Sequence, residues 1–329
     1  MFTNWKYSVL ALAVVAVVIF FIDIPVTKIW YKIVGPPRQQ AEKYIDKGSK
    51  VVQKEEKSDF ISEYVNDLLE HPGFSESSSD KYPTTAKRAE VNNYTFKVRN
   101  KSDKKECMDF LKSGKKIRSN CGYLFETFAI VTNPAPGTDI NGDGLPKIIV
   151  EEYSGGAHCC FSYKIFSLGK NLKLIDTLFG EHSYFNFKDL DGDGKYEAIG
   201  RDWAFAYWAE SFVGSPAPEV ILRWKNGKYR LAGDLMNKPP PLEKDLYEKM
   251  PYIYREGATY SVVSNVMIKL IYTGNGNLAL KYCDWFWQNL YKDKPKQQIL
   301  KEKNEFLADF KKQLKGSYYW PELKKMNGW

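Results

Sequence analysis

Two short acidic segments constrain this chain more than anything else in it. The first reads Asp139-Ile140-Asn141-Gly142-Asp143-Gly144-Leu145-Pro146-Lys147. The second, starting 50 residues later, reads Asp189-Leu190-Asp191-Gly192-Asp193-Gly194-Lys195-Tyr196-Glu197. Carboxylate or amide oxygens recur at alternate positions, and the glycines between them permit turns tight enough to make those oxygens converge. A hard cation such as Ca²⁺ takes about six to eight oxygens at about 2.3–2.6 Å, and this is the donor type it prefers. Neither segment has the layout of an EF-hand, which carries a bidentate Glu at its twelfth position and a helix on each side. The twelfth position is Val150 in one segment and Gly200 in the other. Both run straight into strand-forming sequence, Lys147-Ile-Ile-Val-Glu-Glu-Tyr153 and Tyr196-Glu-Ala-Ile-Gly200.

An acidic loop that feeds directly into a strand resembles the FG-GAP/VCBS repeat, the calcium loop of integrin-type β-propeller blades. The resemblance implies Ca²⁺ as cofactor, with side-chain ligands at positions one, three, five and nine and a backbone carbonyl at seven. In the second loop these are Asp189, Asp191, Asp193, Glu197 and the carbonyl of Lys195. In the first they are Asp139, Asn141, Asp143 and the carbonyl of Leu145, with Lys147 standing where the resemblance implies an acid. It covers the two loops and the strands after them. The plainer reading is an ion-free turn, because Asp, Asn and Gly tolerate positive φ and cap their own backbone.

The N-terminus is apolar from Val9 to Ile22, and Asp23 then interrupts the run. With its flanks the segment approaches the roughly 20 residues of a membrane span, and Trp5, Tyr7, Trp30 and Tyr31 sit where interfacial aromatics belong. No small-residue cleavage site follows it, so the expectation is an uncleaved anchor over residues 1–35. Lys6 on one side and Lys28 and Lys32 on the other leave the flanking charge uninformative about orientation. The cysteines point outward. Cys107 and Cys121 bracket a short polar stretch and are spaced for a disulfide, which persists in extracytoplasmic compartments. The net charge of +8 is spread over many lysines, with no nucleic-acid-binding motif, so nucleic acid is not an expected partner.

The rest of the chain divides into three parts. Residues 36–91 read as a helical stalk and linker, with apolar residues at threes and fours up to Leu69 and a stop at His71-Pro72-Gly73. Residues 92–241 read as an antiparallel β unit. Tyr94–Arg99 alternates, Tyr123–Val131 is β-rich, Cys160–Leu168 and Leu172–Leu178 form a hairpin, and Val220–Trp224 and Tyr229–Ala232 form another around Asn226-Gly227. About 140 residues supply too few blades for a closed propeller, so a propeller-like partial sheet or a sandwich is expected. Residues 242–329 turn to helical spacing, ending in the aromatic, Pro-broken Ser317–Leu323. The fold class is thus α+β and multidomain: an N-terminal transmembrane anchor, a central antiparallel β unit and a C-terminal helical region.

Two further clusters bear on function. His158-Cys159-Cys160 offers an imidazole and two thiols for a soft metal or a redox pair, against the reading of a Ser-Gly-Gly turn followed by cysteines that are small buried hydrophobes or of which one is bridged. Adjacent cysteines in a strand point to opposite faces, which favours the structural reading. The aromatic row Trp203, Phe205, Tyr207 and Trp208 beside Arg201 and Asp202 is either a ligand platform or sheet core. No catalytic triad, nucleophile elbow, phosphate loop or zinc-protease helix is present in the sequence. The expected function is a membrane-anchored extracytoplasmic binding protein with a calcium-stabilised β domain and a protein or glycan ligand. The alternatives are an extracytoplasmic hydrolase or redox enzyme using the acidic loops or His158-Cys159-Cys160, and a structural envelope protein.

Overall fold

Among the described residues, alternating apolar and polar residues build three antiparallel sheets. The first runs in the order β2 (Arg88–Val91), β3 (Tyr94–Lys101), β4 (Lys105–Lys112), β5 (Lys115–Cys121). The second has the order β1 (Thr85–Ala86), β6 (Thr127–Val131), β7 (Lys147–Tyr153), β8 (Phe161–Leu168), β9 (Leu172–Glu181). The third comprises β10 (Asn186–Lys188), β11 (Glu197–Arg201), β12 (Glu219–Lys225) and β13 (Lys228–Leu231), neighbours in that order. The computed structural model describes residues 81–101, 105–156, 159–249, 259–290 and 294–329. All of them belong to one compact unit, Lys57–Trp329. The expected anchor, the stalk up to residue 80 and His158 lie outside the described residues. No helix among the described residues is long and apolar enough to cross a membrane.

The strands β6–β9 and β10–β13 repeat one plan. Each is a four-stranded antiparallel meander, and in each an acidic loop joins the first strand to the second. The hairpins expected around residues 169–171 and 226–227 are present. Asn226 and Gly227 have φ of 54° and 82°, the pair of positive values that a two-residue turn of this hand requires.

Three local expectations change. Among the described residues, sheet structure begins at Thr85, ahead of residue 92, because β1 pairs with β6 and β2 with β3. Tyr123–Glu126 is a turn rather than strand: the Glu126 carboxylate accepts the Tyr123 N–H, and Phe125 adopts a φ of 70°. Cys107 and Cys121 are bonded to each other, but as directly paired residues of the β4–β5 hairpin rather than as the ends of a loop.

The C-terminal region is helical as expected: α1 (Gly233–Met236), α2 (Glu243–Lys249), α3 (Thr259–Tyr272), α4 (Gly276–Leu290), α5 (Lys296–Gly316) and α6 (Trp320–Met326). Pro321 falls in the first turn of α6, where its missing N–H costs no hydrogen bond, so it starts a helix instead of breaking one. These helices share a core with the sheets, in which Ile149, Tyr163, Val220 and Leu222 meet Val266, Phe286 and Phe310. A second core joins Phe96 and Phe110 to Ile148, Val150 and Phe166. Successive residues of β7 therefore feed opposite cores, as the two-residue period of a strand demands. Burial on both faces explains why Ile148-Ile149-Val150 reads as a continuous apolar run.

Candidate metal centre

The two acidic loops have the same backbone skeleton. In each, the first Asp folds back over the loop as an acceptor. Asp139 receives the N–H groups of Gly142, Asp143 and Gly144, and Asp189 those of Gly192 and Gly194. Gly142, Gly144, Gly192 and Gly194 all have φ between 73° and 82°, which a side chain would resist. The loops also touch, since the Tyr196 N–H donates to the Ile140 carbonyl at 2.9 Å.

They differ in what sits at the centre. In the second loop the carboxylates of Asp189, Asp191 and Glu197 bring oxygens within 4.8 Å of one another. Glu197 is fully buried. One of its oxygens accepts the Leu190 N–H, and the other accepts Nε of Arg223 at 3.0 Å. Arg223 comes from β12. Its other nitrogens donate to Asp191 at 2.6 Å and Asp234 at 2.7 Å. The bond to Glu197, followed by those to its other acidic partners, pushes the guanidinium pKa further up against the opposing effect of desolvation. Asp193 turns away toward Lys195, whose side chain and backbone N–H hold its carboxyl below the usual range. Three of the four predicted carboxylates thus converge and the fourth does not. Hard oxygen donors on a glycine-rich frame suit Ca²⁺.

In the first loop the centre is taken by the chain itself. Lys147 is 1% exposed, and its Nζ donates to Asp143 at 2.5 Å, to the Leu145 carbonyl at 2.6 Å and to Asp139 at 3.3 Å. Those are three of the oxygens assigned to a calcium ion. Desolvation pushes the Asp139 and Asp143 carboxyls up, but hydrogen bonds from the backbone and from Lys147 outweigh it and hold both below the usual range. The Asn141 amide nitrogen donates to Asp143, while its buried Oδ1 has no hydrogen-bond partner. The residues present therefore fit a metal in the second loop, and in the first they fit the ammonium already there.

Elsewhere, Cys159 and Cys160 are paired with each other. Most of the aromatic row is core. Trp203 and Phe205 are buried, and only Tyr207 is well exposed. Within it Asp202 is buried and accepts hydrogen bonds from Tyr272 and Ser317, tying the C-terminal segment to the sheet, while burial pushes its pKa up. The contribution of Arg223 has no local sequence signal. It reaches the second loop because β12 pairs with β11, opposing Leu222 to Ala198.

No family model matches the chain, and no solved structure matches it. Over 97 residues it is 34% identical to a probable thylakoid lumen protein of Synechocystis sp., a stretch covering 28% of each protein. Over 77 residues it is 35% identical to an uncharacterized protein of Sinorhizobium fredii, covering 23% of this chain and 12% of that protein. The chain thus spans less than a third of the length of either relative.

Proposed function

We propose that this chain is a membrane-anchored binding protein working outside the cytoplasm, with its β region stapled by Ca²⁺ in the second acidic loop. The observation that carries the reading is the convergence of Asp189, Asp191 and Glu197 on one point of a strand-entry loop. When bound, calcium would supply the positive charge that this cluster otherwise draws from Arg223. Asp189, Asp191, Glu197 and the Lys195 carbonyl would hold it, and the guanidinium would retain Asp234. The first loop serves as the metal-free counterpart, its cation being Lys147. A staple of this kind fixes geometry and supplies no reactive group. The ligand is a protein or glycan met in the same compartment.

The location outside the cytoplasm draws support from the similarity to a probable thylakoid lumen protein and from the Cys107–Cys121 disulfide. The apolar run Val9–Ile22 supplies the anchor. Melting curves of the full chain in EDTA, Ca²⁺ and Mg²⁺ test the metal. A rise with Ca²⁺ that Asp191→Asn largely removes is expected, and identical curves in all three would refute it. Protease added to intact spheroplasts, with a carbonate wash of the membranes, tests the topology. Full protection, or release of the N-terminal fragment, overturns it.

A further inference from the structure

A cleft of about 310 Å³ opens at the end of the five-stranded sheet remote from the first acidic loop. It follows a row of cross-strand partners: Thr127 pairs with Tyr153, Tyr153 with Phe161, and Phe161 with Glu181. Lys147 begins the same strand that Tyr153 ends, so the two sites lie about 20 Å apart at roughly 3.3 Å per residue. Tyr318, just ahead of α6, closes one side by stacking on Phe179 with ring centroids 5.7 Å apart. Both of these rings are more than half exposed, at 52% for Phe179 and 64% for Tyr318. Tyr153 and Phe161 stack at 4.6 Å along the row.

The walls are aromatic and acidic. Glu126, Glu152 and Glu181 line the cleft, and no basic side chain does among the described residues. Two of the three carboxylates are engaged. Glu126 accepts the Tyr123 N–H at 2.7 Å, and Glu152 pairs with Lys164 at 2.6 Å. Glu181 accepts no hydrogen bond from the described residues, and the buried Asp202 repels it, with only His182 opposing. Burial and that repulsion push its pKa up, as befits a carboxylate awaiting a counter-charge.

We infer that this cleft binds an organic ammonium group, either a lysine side chain of a partner or a small free amine. Glu181 is the counter-charge, and the Phe179–Tyr318 pair is the face on which the cation rests. Aromatic rings attract a cation through their quadrupole, and an ion pair beside them adds to it. The volume sits at the small end of ligand sites. A neutral sugar would stack on the same rings and leave Glu181 uncompensated. The inference rests on the binding-protein reading above and gives its ligand a chemistry.

Titration calorimetry on the full chain in detergent tests it, with four probes: n-butylammonium, a blocked lysyl tripeptide, n-butanol and maltose. Both cations are expected to bind, and both neutral probes to give no heat. Glu181→Gln, nearly isosteric, should weaken the cations about tenfold or more with an unchanged melting curve, and Tyr318→Ala should weaken them several-fold. A tripeptide at least tenfold tighter than butylammonium identifies a protein as the source, whereas equal affinities identify a free amine. Neutral probes binding as well as the cations, or Glu181→Gln binding unchanged, would refute the ammonium assignment and leave the binding-protein reading standing. If none of the four probes binds, the ammonium inference falls. Silence from a wider peptide and glycan panel as well brings down the broader reading too.

Discussion

The two acidic loops share a skeleton and part ways at the ninth position. Where the second loop has Glu197, the first has Lys147, and one residue reverses the charge at the centre of the loop. A carboxylate there completes a set of oxygens that must find positive charge from outside the loop, from a metal or from Arg223. An ammonium there carries the charge within the loop. It is bound covalently to the frame and cannot be diluted or chelated away. The first loop is therefore finished on folding, while the second, on the calcium proposal, stays open to exchange. On that proposal two copies of one turn serve different ends, permanence in one and responsiveness in the other.

The sharpest way to break this comparison is Lys147→Met. It strands Asp139 and Asp143 beside a buried methyl group; breaking a fully buried pair costs about 3–5 kcal/mol, and because both carboxylates keep part of their surface in water the loss falls at the low end of that range. The loss should appear in the melting temperature, and calcium should not repair it. Lys147→Glu should start from a similar loss in EDTA but recover on adding calcium. If it remains indifferent to calcium, the ninth position does not decide the cation. Next in size is calcium on the unaltered chain. At a hundredfold excess over Kd, binding to the native state alone adds about 2.7 kcal/mol, and Asp191→Asn should remove most of it.

Arg223→Met sharpens the comparison from the other side. Without metal, Glu197 loses a charged donor in a buried position, a loss of about 2 kcal/mol. Calcium then meets no competitor, so its stabilisation should exceed that of the parent chain, and calorimetry should show a lower Kd. An unchanged Kd would mean that guanidinium and metal do not share the site. The smallest effect is an acid one. A carboxyl whose folded pKa is depressed contributes stability above its unfolded pKa, about 3.9, and loses it as pH falls through the folded value. Asp139 and Asp143 are both depressed, so melting in EDTA should steepen its decline below about pH 4, and less so in Lys147→Met. Their side chains are 32% and 40% exposed, and solvent screens the contribution.

The parts of this fold that were legible in advance are those written in local pattern. Asn226-Gly227 between two apolar runs announces its hairpin, and the threes-and-fours spacing announces α3, α4 and α5. The parts that were not legible depend on register. Nothing near residue 223 says that its side chain will land on Asp191 and Glu197, because only the pairing of β11 with β12 brings it there. Lys147 is visible in the sequence as a departure from the acidic pattern. Its burial becomes visible only when β7 is seen packed on both faces. The cleft is harder still, since Tyr318 meets Phe179 through the docking of the whole C-terminal segment on Asp202. The turn at Tyr123–Glu126 was hidden by its own composition, three large apolar residues that read as strand.

The Cys107–Cys121 bridge has a consequence for how molecules of this protein treat one another. It joins β4 to β5, the outermost strand of its sheet, and β5 is exposed along almost its whole length. An outer strand offers unpaired backbone groups to any other strand that drifts by, and Lys115, Lys116 and Arg118 along it make that approach costly for a second copy carrying the same charges. Charge discourages the neighbour, and the bridge keeps the strand from peeling away to expose β4. Of these two guards, salt weakens the first and reductant removes the second. Chains made where thiols stay reduced should therefore betray themselves first as light-scattering aggregates, at salt concentrations where the bridged protein stays clear.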